Sequence, residues 1–242
     1  MRTFILLILA LICLQGNELY AKSNDSGKDE IKDAEKIIGR QGEGKTFVTI
    51  KTSEGTIEVM LYDETPRHRD NFIKLAESGF YDGVLFHRSI KNFMIQGGDP
   101  RSKESLATIV YGASSNENDI EAEINDKFFP HKGALAAARM PDQFNPEKRS
   151  SESQFFIVHG RQESDSTLVE TEEMLGTTIP ADRKEVYKTI GGVPQLDGEY
   201  TIFGRVTKGL NVVDRIAGIK TDRNDRPMID VYIQRTTVRT KK

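Results

Sequence analysis

The sequence predicts a mainly β domain, an antiparallel sandwich or closed barrel, with two helices packed on it and a helical pair inserted late in the chain. Three observations carry this. FVTIKTSEGTIEVMLYD alternates apolar and polar residues on both sides of Ser53-Glu54-Gly55, the pattern of a hairpin. Short apolar runs then recur between turn residues, in VLFHR, FMIQGG, GALAAA, SQFFIVHG and YTIFGRV, and the series closes on the alternating PMIDVYIQRTTV. Against this β background only a few stretches have helical spacing.

The first is TPRHRDNFIKLAESGF. Thr65 stands at the N-cap position and Pro66 at the first helical one, Phe72, Ile73, Leu75 and Ala76 share a face, and Gly79 ends the helix. GLNVVDRIAG is the second, with Val212, Val213 and Ile216 inward and Gly218 as the stop. Between about 161 and 192, DSTLVETEEMLG and PADRKEVYKTIGG both read as helices, with Pro180 near the start of one and Gly191 beyond its end. They interrupt the β series and are expected to form a helical hairpin on its surface.

The N-terminus has a different composition. Arg2 precedes eleven apolar residues from Phe4 to Leu14, too few for a bilayer span of about 20 but suited to the apolar region of a secretory signal. Residues 1–21 are therefore read as a signal peptide, with Ala21 last before cleavage, and the protein is expected in the periplasm or cell envelope. Cys13 is the one cysteine of the chain. Cleavage after Ala21 removes it, and the alternative is that Cys13 carries a lipid anchor. Residues 22–44 read as a flexible charged linker with a short helical turn around Ile31 to Ile38, leaving 45–240 as the folded domain.

Composition narrows the function classes. Of the 242 residues 37% are hydrophobic and 29% charged, ordinary for a globular chain, and the net charge of −3 makes no electrostatic case for nucleic acid. His68, His87, His131 and His159 are not at metal-ligand spacing, and neither a GxSxG elbow nor a phosphate-binding glycine loop occurs. No metal or cofactor is expected. What remains is FHRSIKNFMIQGGDP, which sets Arg88 among Phe86, Phe93 and Met94: an apolar wall with one fixed cation. His87 alternates away from Arg88 and is read as structural. Phe155 and Phe156 are adjacent on a strand, so one is expected in the core and the other in a groove.

In TPRHRDNFIKLAESGFYDGVLFHR, FMIQGGDP, SQFFI and LDGEYTIFG the chain resembles the cyclophilin peptidyl-prolyl isomerases, over roughly Phe47 to Thr237. GGVPQLDGEYTIFG is similar to the secreted bacterial members. The resemblance implies a closed eight-stranded antiparallel β-barrel capped by two helices, with an active groove on its outside and a monomeric protein. It assigns catalysis to Arg88 and substrate binding to Phe93, Met94, Gln96, Ala138, Arg139, Gln154, Phe156, Leu196 and Tyr200. Gln195 stands where many members have Trp, which bears on binding of the family's cyclic-peptide inhibitor. Tyr200 replaces the His of eukaryotic members. The implied partners are proline-containing segments of exported proteins, whose folding the enzyme assists. A module that binds such segments without isomerising them is the competing expectation.

Overall fold

The computed structural model describes residues 28–106, 109–112 and 119–241. The expected signal peptide, Ala21 and Cys13 lie outside the described residues. Eight strands form one antiparallel sheet: β1 (Thr46–Thr52), β2 (Gly55–Leu61), β3 (Arg88–Ile90), β4 (Met94–Gly97), β5 (Ala134–Ala137), β6 (Phe155–Val158), β7 (Ile202–Lys208) and β8 (Ile233–Thr240). Their order is β3-β4-β6-β5-β7-β2-β1-β8. The sheet curls without closing, so the expected closed barrel is corrected to an open one. β3 and β8 are its edges. Short contacts cross the seam between them: a bridge from Leu85 to Tyr232, and the N–H groups of Gly83 and Phe86 donating to the carbonyls of Ile233 and Val231 at 2.8 Å each. VLFHR crosses this seam as irregular chain, and strand pairing begins only at Arg88.

The alternation along the strands separates two apolar layers, because successive side chains of a strand point to opposite faces. Ile95, Phe155 and Ile157 join the core inside the curl, whereas Met94, Phe156 and Val158 join a second cluster on the outer face. The inner core is closed by α2 (Pro66–Glu77), which contributes Phe72, Leu75 and Ala76, and by α5 (Leu210–Ala217), which contributes Val212, Val213 and Ile216. Phe72 meets the rings of Phe155 and Phe203 edge-on, with centroids 5.3 and 5.4 Å apart. Thr65 precedes α2 as expected, but its side chain does not cap the helix. Glu123 does, accepting from the backbone N–H groups of Arg67 and His68 at 3.1 and 3.0 Å. The orphan donors of a helix N-terminus thus find a carboxylate 55 residues away.

Residues 28–39 form α1, and α3 (Asp165–Leu175) and α4 (Ala181–Thr189) form the expected helical pair. Ser164 caps α3 through the N–H of Thr167, and Gly176 ends it with φ of 65°. These helices share a third apolar cluster of Ala34, Phe129, Leu168, Ile179, Val186 and Tyr187, with Ile37 and Ile38 packed against it. Within the expected linker, the helical turn around Ile31 to Ile38 is present and extends over 28–39, where the chain is docked and not a flexible tether. Ala34, Ile37 and Ile38 fall on one helical face, and that face has an apolar partner in the insertion.

Candidate active site

Strand register builds the site. Arg88 pairs with Gln96 across β3 and β4, Gln96 with Phe156 across β4 and β6, and Phe156 with Ala136 across β6 and β5. Directly paired residues share a face, so one cross-strand row carries a guanidinium, an amide and an aromatic ring on the outside of the sheet. The next row adds Met94, paired with Ile90 and Val158. The β3–β4 turn ends at Phe93, whose carbonyl accepts from the N–H groups of His159 and Gly160 at 3.0 and 3.1 Å. The His159 ring steadies the same turn. Its Nδ1 accepts from the N–H of Asn92 at 2.9 Å, and Asn92 has the left-handed φ of 66° that this tight connection requires.

Arg88, Phe93, Met94, Gln96, Ala138, Arg139, Phe156, Leu196 and Tyr200 line one groove. Nine of the ten residues expected from the sequence therefore meet around one space. The tenth, Gln154, stands behind it, its Oε1 accepting from Gln96 Nε2 at 3.1 Å. Phe155 enters the inner core and Phe156 the groove, the division expected of adjacent strand residues. The Phe156 and Tyr200 rings meet edge-on at 5.3 Å, making two walls of an apolar corner.

Two charged residues of the groove have different surroundings. Arg88 is 41% exposed on its side chain, and its Nε donates to Asp225 Oδ2 at 3.3 Å. Arg139 is only 5% exposed on its side chain, and four of its five N–H donors are already committed. Nε and Nη2 donate to the carbonyl and Oε2 of Glu199 at 2.9 and 3.0 Å, and Nη1 to Asp142 and the Met140 carbonyl. Its guanidinium lies 4.7 Å from the centre of the Tyr200 ring. Arg139 therefore holds the Tyr200 wall in place, whereas Arg88 is the groove's accessible cation.

His87 points the other way, as its alternation with Arg88 implies. It is 3% exposed, and burial pushes its imidazole down to about 4 despite the nearby Asp99 carboxylate. Asp99 is itself fully buried; burial pushes its carboxyl up, but Arg101 and the N–H groups of Gly112 and Arg101 outweigh that and hold it below the usual carboxylate range. Sequence reasoning missed Asp225 and Glu199. Neither lies in a pattern that marks it, and Asp225 is 137 residues from its partner Arg88. Among the described residues no three His, Cys, Asp or Glu side chains gather as a metal-binding group.

Comparison with known proteins shows the family. The family model described as cyclophilin type peptidyl-prolyl cis-trans isomerase/CLD matches residues 47–238. The chain belongs to this family. Peptidyl-prolyl cis-trans isomerase CYP18-2 of Arabidopsis thaliana is 35% identical over 192 residues, covering 79% of this chain and 92% of that one. Peptidyl-prolyl cis-trans isomerase-like 1 of Rhizopus delemar is 38% identical over 183 residues, 75% of this chain and 86% of its own. A protein of Streptococcus pyogenes named as a bifunctional phosphatase/peptidyl-prolyl cis-trans isomerase is 37% identical over 190 residues, and the match spans only 37% of its length. The cyclophilin fold is also seen in a Cryptosporidium parvum crystal structure that superposes with a TM-score of 0.57 at 24% identity, covering 81% of this chain and 99% of that one. This cyclophilin is an isomerase by family, and the groove is where its motif residues converge.

Proposed function

We propose that this cyclophilin accelerates cis-trans isomerisation of X-Pro bonds in exported proteins during their folding, with Arg88 as the catalytic group. One observation supports this above the others: the Arg88–Gln96–Phe156 row sets a fixed cation at the edge of an apolar corner with room for a proline ring.

The reaction needs little more. An amide resists rotation by about 18–20 kcal/mol because twisting removes its resonance, and the uncatalysed exchange is slow enough to limit folding. Phe93, Met94, Phe156, Leu196 and Tyr200 bury the ring. As the bond twists, the prolyl nitrogen becomes pyramidal and recovers its lone pair. A terminal nitrogen of Arg88 donates to it only then, since a planar amide nitrogen does not accept. That interaction favours the transition state over both ground states, the condition for catalysis. Asp225 holds Nε and so leaves the outer donors of the fork for substrate. Gln96, with Gln154 behind it, binds the substrate backbone, and Arg139 acts through the wall it supports.

Export rests on residues 1–21, and the clients are proline-containing chains crossing the same membrane. Cell fractionation and refolding test both parts. The protein is expected in the envelope fraction, with residues 1–21 removed by cleavage after Ala21, and to speed the slow proline phase of a refolding substrate in proportion to its concentration. Recovery of the uncleaved chain in the cytosol contradicts the location, and an unchanged slow phase contradicts the activity. A protein that binds the client yet leaves its refolding rate alone is the binding module instead.

A further inference from the structure

We propose that Arg183, on the inserted helix α4, is a positioning residue for the proline pocket, acting through Asp197; the proposal rests on the isomerase reading above. Leu196 and Tyr200 form one wall of the groove, but no strand carries either of them. They belong to the segment 194–200, a 3-10 turn over Pro194–Leu196 followed by irregular chain with a left-handed glycine, Gly198, at φ of 74°. Its own bonds are short-range turns, from Leu196 to Val193 and from Asp197 to Pro194 at 3.0 and 3.1 Å. A segment of this kind fixes a groove wall only when something outside it holds its middle as well as its ends.

Main-chain bonds hold the ends, from Val193 to the Pro130 carbonyl at 2.9 Å and from Ala137 to the Thr201 carbonyl at 3.0 Å, and Glu199 accepts from the groove's own Arg139. Its middle, at Asp197, is held from the insertion. Arg183 Nη1 lies 2.8 and 3.0 Å from the two oxygens of Asp197, next to Leu196 in the chain, and the Tyr187 hydroxyl donates to the same carboxylate at 3.4 Å. The Arg183 and Asp197 side chains are only 15% and 10% exposed, so this is a shielded pair and not a surface contact. The guanidinium also lies 5.3 Å from the centre of the Phe129 ring, and Tyr187, fully buried, packs edge-on to that ring at 5.4 Å. Arg183 is thereby locked to the insertion's core on one side and to the groove wall on the other. It lines no part of the groove, and its influence on substrate passes through the backbone at Asp197. Of the charged side chains on α3 and α4, Lys184 and Lys188 pair with Glu172 and Asp165 inside the insertion, and neither touches the wall.

The test compares the full chain with Arg183→Ala, Asp197→Asn, the double variant, and Arg183→Lys. Leu168→Ala serves as a variant that loosens the insertion's core without touching the pair. Each is read by peptide isomerisation kinetics, melting temperature, and the methyl signals of Leu196 in NMR. Arg183→Ala and Asp197→Asn are expected to lower kcat/KM about tenfold, mostly through KM, as displaced binding groups do. The double variant is expected to be no worse than either single one, because both break one link. Arg183→Lys should recover part of the loss. The Leu196 methyl signals should move in the pair variants and stay in place in Leu168→Ala. The proposal is overturned if folded Arg183→Ala keeps KM within about twofold of the parent with unmoved Leu196 signals, or if Leu168→Ala raises KM equally. If the parent chain itself does not isomerise the peptide, the isomerase reading fails, and the Leu196 signals still decide whether Arg183 sets the wall.

Discussion

Arg88 and Asp225 face each other at 3.3 Å across 137 residues of chain, and each side chain is 41% exposed. An exposed pair adds little stability, typically under about 1 kcal/mol, so its value lies in orientation. Asp225 has a left-handed φ of 62°, so the carboxylate is removed without backbone strain by Asp225→Gly, which is expected to leave the melting temperature nearly unchanged while lowering kcat/KM several-fold, on the order of one extra disordered rotamer at the reacting group. Peptide kinetics at low salt measure this. An unaltered rate in the folded variant contradicts the orienting role.

The two phenylalanines of the groove separate binding from folding. Phe156 is 5% exposed and belongs to the outer apolar cluster, whereas Phe93 is only partly buried. Phe156→Ala is expected to cost about 3 kcal/mol of stability as well as substrate affinity. Phe93→Ala should weaken binding at a stability cost below about 1 kcal/mol. Denaturant unfolding set beside peptide titration distinguishes them, and equal stability losses would count against this division of the layers.

Stability should fall in mild acid. Burial pushes both His87 and His131 down to about 4. In the unfolded chain each ring takes up a proton near the ordinary histidine value of about 6.5, and in the folded protein it does so only near 4. The unfolded state therefore binds more protons between those values. The two contributions are complete above that window and are lost as pH falls through it, at roughly 3 kcal/mol per ring. Unfolding free energies at neutral and mildly acid pH, with NMR titration of the His87 ring, check this. A His87 signal that titrates at the ordinary value in the folded protein would refute it.

Helix α1 is expected to stabilise the domain although it precedes the first strand. Ala34 is fully buried, and Arg205 Nη1 donates to the Ile38 carbonyl at 3.2 Å. Removing residues 1–42 should lower the melting temperature by about 5 °C relative to removing 1–27. Identical melting curves would show that α1 carries no weight.

The groove was legible in the sequence because its residues come in short motifs on strands. FHR, FMIQ and SQFF each place a functional side chain at a fixed phase of a two-residue repeat, and antiparallel register then aligns Arg88, Gln96 and Phe156. The helices were legible for the same local reason, through Pro66, Gly79, Pro180 and Gly191. What local pattern does not encode is who partners whom across the fold. Nothing near Glu123 marks it as the cap of α2, nothing near Asp225 names Arg88, and the anchoring of the Leu196 wall by Arg183 depends on how an insertion docks. The helix over 28–39 was legible only as a short turn around Ile31 to Ile38. Its charged composition suits a solvated tether, and only its one apolar face and the partner it meets decide otherwise. Closure of the barrel was also beyond local reading, since the edges β3 and β8 are short of pairing because VLFHR runs irregularly between them.

The central claim is that Arg88 stabilises the twisted amide. Its most direct measurement is the cis-to-trans rate of a short Ala-Pro-Phe peptide, with the parent protein beside Arg88→Ala and peptide affinity recorded for both. Losing one preorganised donor is expected to lower kcat by about 10²–10³, with peptide affinity nearly unchanged because the apolar corner still binds the ring. A variant that isomerises the peptide as fast as the parent, or a parent that binds it without accelerating the exchange, would contradict the account.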